Sequence, residues 1–237
     1  MMVTFEIYRF DPETEQAPRF DKFQIKPRKA MNVLEALFEI VDTQDGSLAF
    51  RYSCRGAICG SCAMIINGIP RLACKTLIES LETDIIKLEP LPHLEIIKDL
   101  VVDLKPLFQK LKTVMPFFSL KRFEEHEREI LQTPKQRLVI DEAVNCILCD
   151  LCDAACPIVN FKKDFLGPAT LAKAYRFIFD SRDGAAKERL EKVNTEQGTW
   201  GCRVIARCTE VCPKNVGPSR CISALKKELV LSSKNKE

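Results

Sequence analysis

Val3, Phe5 and Ile7 alternate with Thr4 and Glu6, and Phe23 and Ile25 alternate with Lys22, Gln24 and Lys26. A period of two puts the apolar side chains of each run on one face, so the pattern predicts two half-buried strands around the turn-rich stretch 11–18. Leu34, Leu37, Phe38 and Val41 then recur at i, i+3, i+4 and i+7 behind Asn32, a side chain suited to capping a helix start. A helix is expected there, ending before Asp45-Gly46. The runs 63–66 and 69–72 flank Asn67-Gly68, a tight-hairpin dipeptide, and 85–88 reads as a further strand. Strands flanking one helix predict a compact α+β unit.

From about Ile96 the periodicity turns helical, with Leu107, Leu111 and Val114 on one face and Pro106, Pro116 and Pro134 punctuating the segments. The expected boundary falls near Asp103, giving domains 1–103 and 104–237. Pro168 suits the first turn of a helix carrying Leu171, Tyr175 and Ile178, and Pro218 does the same for Ile222, Leu225 and Leu229. The second domain is therefore expected to be all-helical. The charged run Glu124 to Glu129 reads as a solvated helix face.

The 237 residues are 46% hydrophobic and 29% charged, a balance that buries a core, and the net charge of +3 is too small to argue for nucleic acid. No apolar run approaches the roughly 20 residues needed to span a bilayer, and Met1 leads into a strand pattern, so neither a membrane span nor a targeting segment is expected. Twelve cysteines in a chain of this size, without an export signal, favour metal ligation in a reducing cytoplasm over a disulfide framework.

Cys54, Cys59, Cys62 and Cys74 read C-x4-C-x2-C-x11-C, the plant-type 2Fe-2S spacing. Gly56 and Gly60 offer left-handed backbone to a loop that must curl around a cluster, while Ala57 and Ser61 leave room for its sulfurs. A zinc site or a set of buried thiols is the competing reading, although zinc more often takes paired C-x2-C knuckles.

Cys146-x2-Cys149-x2-Cys152-x3-Cys156-Pro157 is the bacterial two-cluster run, and Cys202-x2-Ile205-x2-Cys208-x3-Cys212-Pro213 overlays it with one ligand position changed. In such proteins the cysteine before proline serves the other cluster. Cys212 is then expected to join Cys146, Cys149 and Cys152 on a 4Fe-4S cluster, and Cys156 to join Cys202 and Cys208. Isoleucine cannot ligate iron, so this second set of three thiolates predicts a 3Fe-4S cluster. Water or Cys221 as a fourth ligand to a 4Fe-4S cluster is the alternative, although Cys221 lies outside the repeat and reads as a buried helix cysteine. His93 and His126 look isolated, no phosphate-binding glycine loop is present, and Trp200 reads as packing beside Cys202. No residue of this chain is assigned a catalytic role.

These residues resemble the iron-sulfur subunits of succinate dehydrogenase and quinol:fumarate reductase. The likeness runs through the loop 52–62, Ile97-Lys98-Asp99-Leu100-Val101-Val102-Asp103, the run 145–157, Tyr175-Arg176-Phe177, Asp180-Ser181-Arg182-Asp183 and Cys212-Pro213-Lys214-Asn215. It implies an N-terminal β-grasp domain of plant-ferredoxin type and a C-terminal helical domain of bacterial-ferredoxin type. It implies two partners as well, an FAD-bearing flavoprotein with the dicarboxylate site and a membrane anchor, and the lack of a targeting segment puts the expected complex on the cytoplasmic membrane face, although a processed mitochondrial chain would read the same. Electrons from succinate would pass from flavin through 2Fe-2S, 4Fe-4S and 3Fe-4S clusters to a quinone, with fumarate reduction as the same route reversed.

Ubiquinone-using members of the resembled family often carry tryptophan shortly after the Cys-Pro of the 3Fe-4S site and histidine after the first cysteine of the degenerate repeat. Here Asn160 or Phe161 and Arg203 stand in those places. Pro157, Phe161, Arg203 and Ile205 remain the candidate quinone residues, and the departures point to menaquinone and an anchor bearing haem b. Residues 146–149 with Cys156-Pro157 look more like succinate dehydrogenases, which tilts the direction towards succinate oxidation. A free-standing multi-cluster ferredoxin and a structural zinc protein are the readings from other classes. Copurification with a flavoprotein and an anchor separates the first, and brown colour the second.

Overall fold

The structure is a computed structural model that describes residues 2–119 and 129–234. Among them the strands are β1 (Val3–Arg9), β2 (Arg19–Ile25), β3 (Ala63–Ile66), β4 (Ile69–Leu72), β5 (Ile85–Glu89), β6 (Ile96–Lys98) and β7 (Val101–Val102). The helices are α1 (Val33–Thr43), α2 (Lys105–Thr113), α3 (Pro134–Val144), α4 (Leu151–Ala154), α5 (Pro157–Phe161), α6 (Gly167–Ile178), α7 (Ala186–Val193), α8 (Arg207–Glu210) and α9 (Pro218–Lys234). The chain divides into two compact units, Met1–Leu104 with Ile147–Ala155, and Lys105–Cys146 with Cys156–Glu237. His126 and residues 124–128 of the charged run lie outside the described residues.

The first unit is built on a five-stranded sheet of order β2-β1-β5-β3-β4, in which β1 and β5 run parallel and the other neighbours antiparallel. Alternation does what the sequence pattern requires: Val3, Phe5 and Ile7 are buried, with Phe5 opposite Phe23 and Val3 opposite Ile25. Asn32 accepts the Glu35 amide while the Glu35 carboxylate accepts the Asn32 amide, a capping box that starts α1. The helix buries Val33, Leu34, Ala36, Leu37 and Ile40. Phe38 lies off that face and instead packs edge-on against Phe50 and Tyr52.

The segment after Ile96 differs from its expected helical start. β6 and β7 form an antiparallel hairpin, reversed at Asp99 with φ +48°. Helical spacing cannot anticipate this, because the partners of Asp99 are remote in sequence. Its carboxylate accepts the amides of Phe10 at 3.0 Å and Ala49 at 2.9 Å and pairs with Arg9 Nε at 3.1 Å. Helical structure begins at Lys105.

In the second unit α6 is buried along most of its length and packs against α3, α7 and α9. Thr133 and Gln136 form a capping box at α3, and α9 buries Ile222, Leu225 and Leu229, the stripe expected from the sequence. Arg189 is fully buried, donating to Asp183 and to the carbonyls of Met115 and Phe117. Among the described residues no helix is long and apolar enough to cross a membrane.

Candidate metal centres

The loop carrying Cys54, Cys59 and Cys62 holds left-handed backbone at Arg55 (φ +55°), Ala57 (φ +56°) and Gly60 (φ +76°). Of the two glycines expected to supply it, only Gly60 does, and Arg55 and Ala57 adopt it with side chains attached. Alternating handedness turns successive amides inward and makes a concave, electropositive nest. Cys54 Sγ accepts the amides of Gly56, Ile58 and Cys59 at 3.2–3.4 Å, and Cys59 Sγ accepts those of Cys54 and Ser61. Cys62 Sγ accepts the amide of Cys74, which follows β4 on a short 3-10 turn.

These bonds stabilise thiolate, the ligating form. Burial alone would push Cys59 up, but the donors on Cys54 and Ser61 outweigh it and bring the thiol down to about 6. Burial dominates at Cys62, which is pushed up to about 12. A donor set made only of thiols and ringed by inward amides suits a group needing thiolates on several sides, as a 2Fe-2S cluster does.

The internal repeat is written in the backbone too. Leu148 and Asp150 are left-handed at φ +53° and +66°, two and four residues after Cys146, and Val204 and Ala206 are left-handed at +56° and +68°, two and four residues after Cys202. Each loop then enters a single helical turn, α4 or α8. Ile205 occupies the place of Cys149 without breaking the loop's path. The two carbonyls at the loop entrances share another feature: Lys173 Nζ donates to Cys146 O at 3.4 Å and Lys226 Nζ to Cys202 O at 2.8 Å.

Cys146 and Cys212 pack beside the buried cluster of Ala143, Ala172, Val216 and Cys221, whereas Cys149 and Cys152 lie on the segment 147–155 grouped with the sheet unit. Cys156, Cys202 and Cys208 come together in the helical unit. Burial, followed by the charges of Cys156 and Cys202, pushes Cys208 up to about 11. Three thiols with Ile205 beside them fit a cluster with three protein ligands. Cys221 lies buried in α9, its thiol directed at the Val216 carbonyl and pushed up to about 12 by burial. Among the described residues no three His, Cys, Asp or Glu side chains are arranged to hold a single metal ion.

A shallow recess is lined by Cys156, Pro157, Cys202, Arg203, Ile205 and Cys208, among others. Phe161 does not line it and is 86% exposed. Trp200 is partly exposed, donating from Nε1 to Asn194 Oδ1 at 2.7 Å with Lys226 Nζ over its ring.

Sequence spacing left His93 without a partner, and here the structure corrects it. His93 Nε2 lies 2.7 Å from Asp150 Oδ2, with side-chain exposures of 7% and 0%. Both residues belong to the first unit. Asp150 follows Cys149 directly, but only the folded chain brings the loop after β5 back to it.

A mixed sheet with one packed helix, followed by a helical unit with paired cysteine loops, defines an iron-sulfur protein of two ferredoxin-like parts. Residues 4–109 match the model of a 2Fe-2S iron-sulfur cluster binding domain and residues 142–216 that of a 4Fe-4S dicluster domain. The chain is 39% identical over 229 residues to the mitochondrial succinate dehydrogenase [ubiquinone] iron-sulfur subunit of Candida glabrata, covering 95% of this chain and 90% of that one. It is 38% identical to the fumarate reductase iron-sulfur subunits of Escherichia coli O6:H1 and Mycobacterium tuberculosis, covering 94% of this chain and 91% of each relative. A chain of the Mycobacterium smegmatis Sdh1 complex in the apo form shares the fold, with a TM-score of 0.87, 24% identity and coverage of 96% of this chain and 95% of that one. The protein belongs to the family of succinate dehydrogenase and fumarate reductase iron-sulfur subunits and is an electron-transfer subunit of that oxidoreductase class.

Proposed function

We propose that this chain carries electrons between succinate and a membrane quinone, with residues 1–103 as the 2Fe-2S domain and 104–237 as the domain of two further clusters. Cys54, Cys59, Cys62 and Cys74 hold the 2Fe-2S cluster. Cys146, Cys149, Cys152 and Cys212 hold the 4Fe-4S cluster, and Cys156, Cys202 and Cys208 hold a 3Fe-4S cluster. The observation that carries the third assignment is the shared backbone of 146–152 and 202–208 with Ile205 in the place of Cys149. When bound, the clusters supply one-electron carriers in series between partner-held FAD and quinone.

The chain's own residues tune and protect that route. Inward amides around Cys54 and Cys59 stabilise negative charge, and Lys173 and Lys226 place positive charge beside the two loop entrances. Burial of Cys62 and Cys208 keeps water from the thiolates. Ile58 in the first cysteine loop is 62% exposed, and Tyr52 two residues before Cys54 is exposed too, which suits contact with a flavoprotein. In the helical unit Val204, Ile205, Trp200, Val230 and Leu231 are exposed and apolar, which suits an anchor subunit that holds the chain peripherally at the cytoplasmic face of the membrane.

Pro157, Arg203 and Ile205 line the recess and are the stronger quinone residues, and the exposed Phe161 is the weaker. Arg203, and Asn160 or Phe161, standing where ubiquinone enzymes of the resembled family often carry histidine and tryptophan, favour menaquinone and a haem b-bearing anchor. Succinate oxidation is the first reading of direction. Fumarate reduction is the second, supported by the 38% identity to fumarate reductase subunits.

Low-temperature EPR of the purified complex tests the assignment. An oxidised 3Fe-4S signal as isolated, replaced after succinate and dithionite by 2Fe-2S and 4Fe-4S signals, is the expected result. A second reduced 4Fe-4S signal in its place would sink the Ile205 reading. Turnover with ubiquinone equal to that with menaquinone would overturn the quinone assignment.

A further inference from the structure

We infer that Gly60 and His93 are positioning residues that seat the second-cluster loop against the first-cluster loop, so that the sheet unit itself sets the gap between the first two clusters. The inference rests on the ligand assignment proposed above. Gly60 follows Cys59 in sequence and is left-handed at φ +76°. A Cβ built there would lie 2.8 Å from Cys149 Cβ, 2.9 Å from Cys149 Cα and 3.2 Å from Ile147 O. Two of those neighbours are backbone, which cannot swing aside as the end of a long side chain does. The residue after one proposed ligand therefore touches another proposed ligand with no room for a methyl group.

His93 secures the same loop one residue further on. Its Nε2 meets Asp150 Oδ2 at 2.7 Å with both side chains buried, and Asp150 is the left-handed residue immediately after Cys149. Cys149 is thus held between a contact at Gly60 and a buried hydrogen bond at the next residue. Gly60, His93 and the segment 147–155 all fall in one compact unit. Electron tunnelling decays steeply with distance, so a loop fixed at two adjacent residues fixes a rate as well as a shape.

The test is EPR spin relaxation in the purified complex, because a reduced cluster relaxes a reduced neighbour faster the closer it lies. Wild type is compared with Gly60→Ala and His93→Leu, and with one control. Gly68→Ala carries the same left-handed strain, at φ +75°, with nothing within 4 Å of the new methyl. The expected result is loss of relaxation enhancement of the 2Fe-2S signal in Gly60→Ala and in His93→Leu, with the control at the wild-type level.

Loss of the 4Fe-4S signal alone in either variant also supports the inference, since neither residue is a ligand to that cluster. Wild-type relaxation in both variants, with both signals at full intensity, would overturn it. If Gly60→Ala loses only its 2Fe-2S signal, His93→Leu decides, and wild-type 4Fe-4S intensity and relaxation there would overturn the inference. Absence of either signal from the wild-type complex would instead overturn the ligand assignment.

Discussion

Val204 holds φ +56° two residues after Cys202, as Leu148 holds φ +53° two residues after Cys146. Residues with a Cβ adopt this conformation at a cost on the order of 1–2 kcal/mol each, and the cost persists only where the surroundings enforce it. Both loops spend it in the same places, so the second loop keeps a ligand-bearing shape around the non-ligand Ile205.

Ile205→Cys should therefore restore a fourth thiolate without remodelling the loop. EPR of the oxidised complex is expected to lose its 3Fe-4S signal, and the reduced complex to gain a second 4Fe-4S signal. Persistence of the original signal in a variant confirmed by mass spectrometry would show that the side chain at 205 points away from the cluster.

Arg189 and Asp183 are paired with both side chains fully buried, and Arg189 also holds the Met115 and Phe117 carbonyls. Arg189→Met leaves a buried carboxylate and two carbonyls short of donors. Breaking one side of such a pair costs about 3–5 kcal/mol. For a chain of this size the expected fall in thermal midpoint is on the order of 10 °C. A midpoint within about 2 °C of wild type, about 0.5–1 kcal/mol by the same scaling, would refute the cost.

Hydrogen bonds from the Ser47 hydroxyl, then from Arg9 and the Ser47 amide, hold the Asp45 carboxyl well below the usual carboxylate range. The folded state thus releases this proton more readily than the unfolded chain, whose Asp titrates near pH 4. The stabilisation is complete above about pH 4 and is lost as pH falls through the folded value. Urea midpoints measured from pH 6 down to pH 3 should fall more steeply for wild type than for Asp45→Asn. Parallel slopes would count against the linkage.

Asn32 and Glu35 close the start of α1 reciprocally. Asn32→Ala removes one acceptor for an otherwise unpaired helix amide, at a cost of about 1 kcal/mol. Urea denaturation is the check, with an unchanged midpoint as the contrary outcome.

Much of the candidate site was legible before folding, because ligand spacing is local. Cys54, Cys59 and Cys62 fall on one loop, and the second copy of the helical motif reveals itself as a copy. The two strands, the capped helix and the Ile222-Leu225-Leu229 stripe were legible for the same reason, since periods of 2 and 3.6 are written over a few turns of chain. The hairpin at Asp99 was not, because what holds it is Phe10, Ala49 and Arg9, remote in sequence.

The sequence by itself determined which residues are able to hold iron and how many thiolates each set can offer, for those depend on side-chain chemistry and short spacing. Tertiary structure alone decided that Gly60 has no space for a methyl beside Cys149, that His93 meets Asp150, and that the exposed Phe161 lies outside the recess holding Pro157, Arg203 and Ile205. The first two are contacts between segments distant along the chain, and the recess is closed by two such segments, 156–158 and 202–208. Contacts of that kind arise when the whole apolar core closes and leave no periodic trace in either segment.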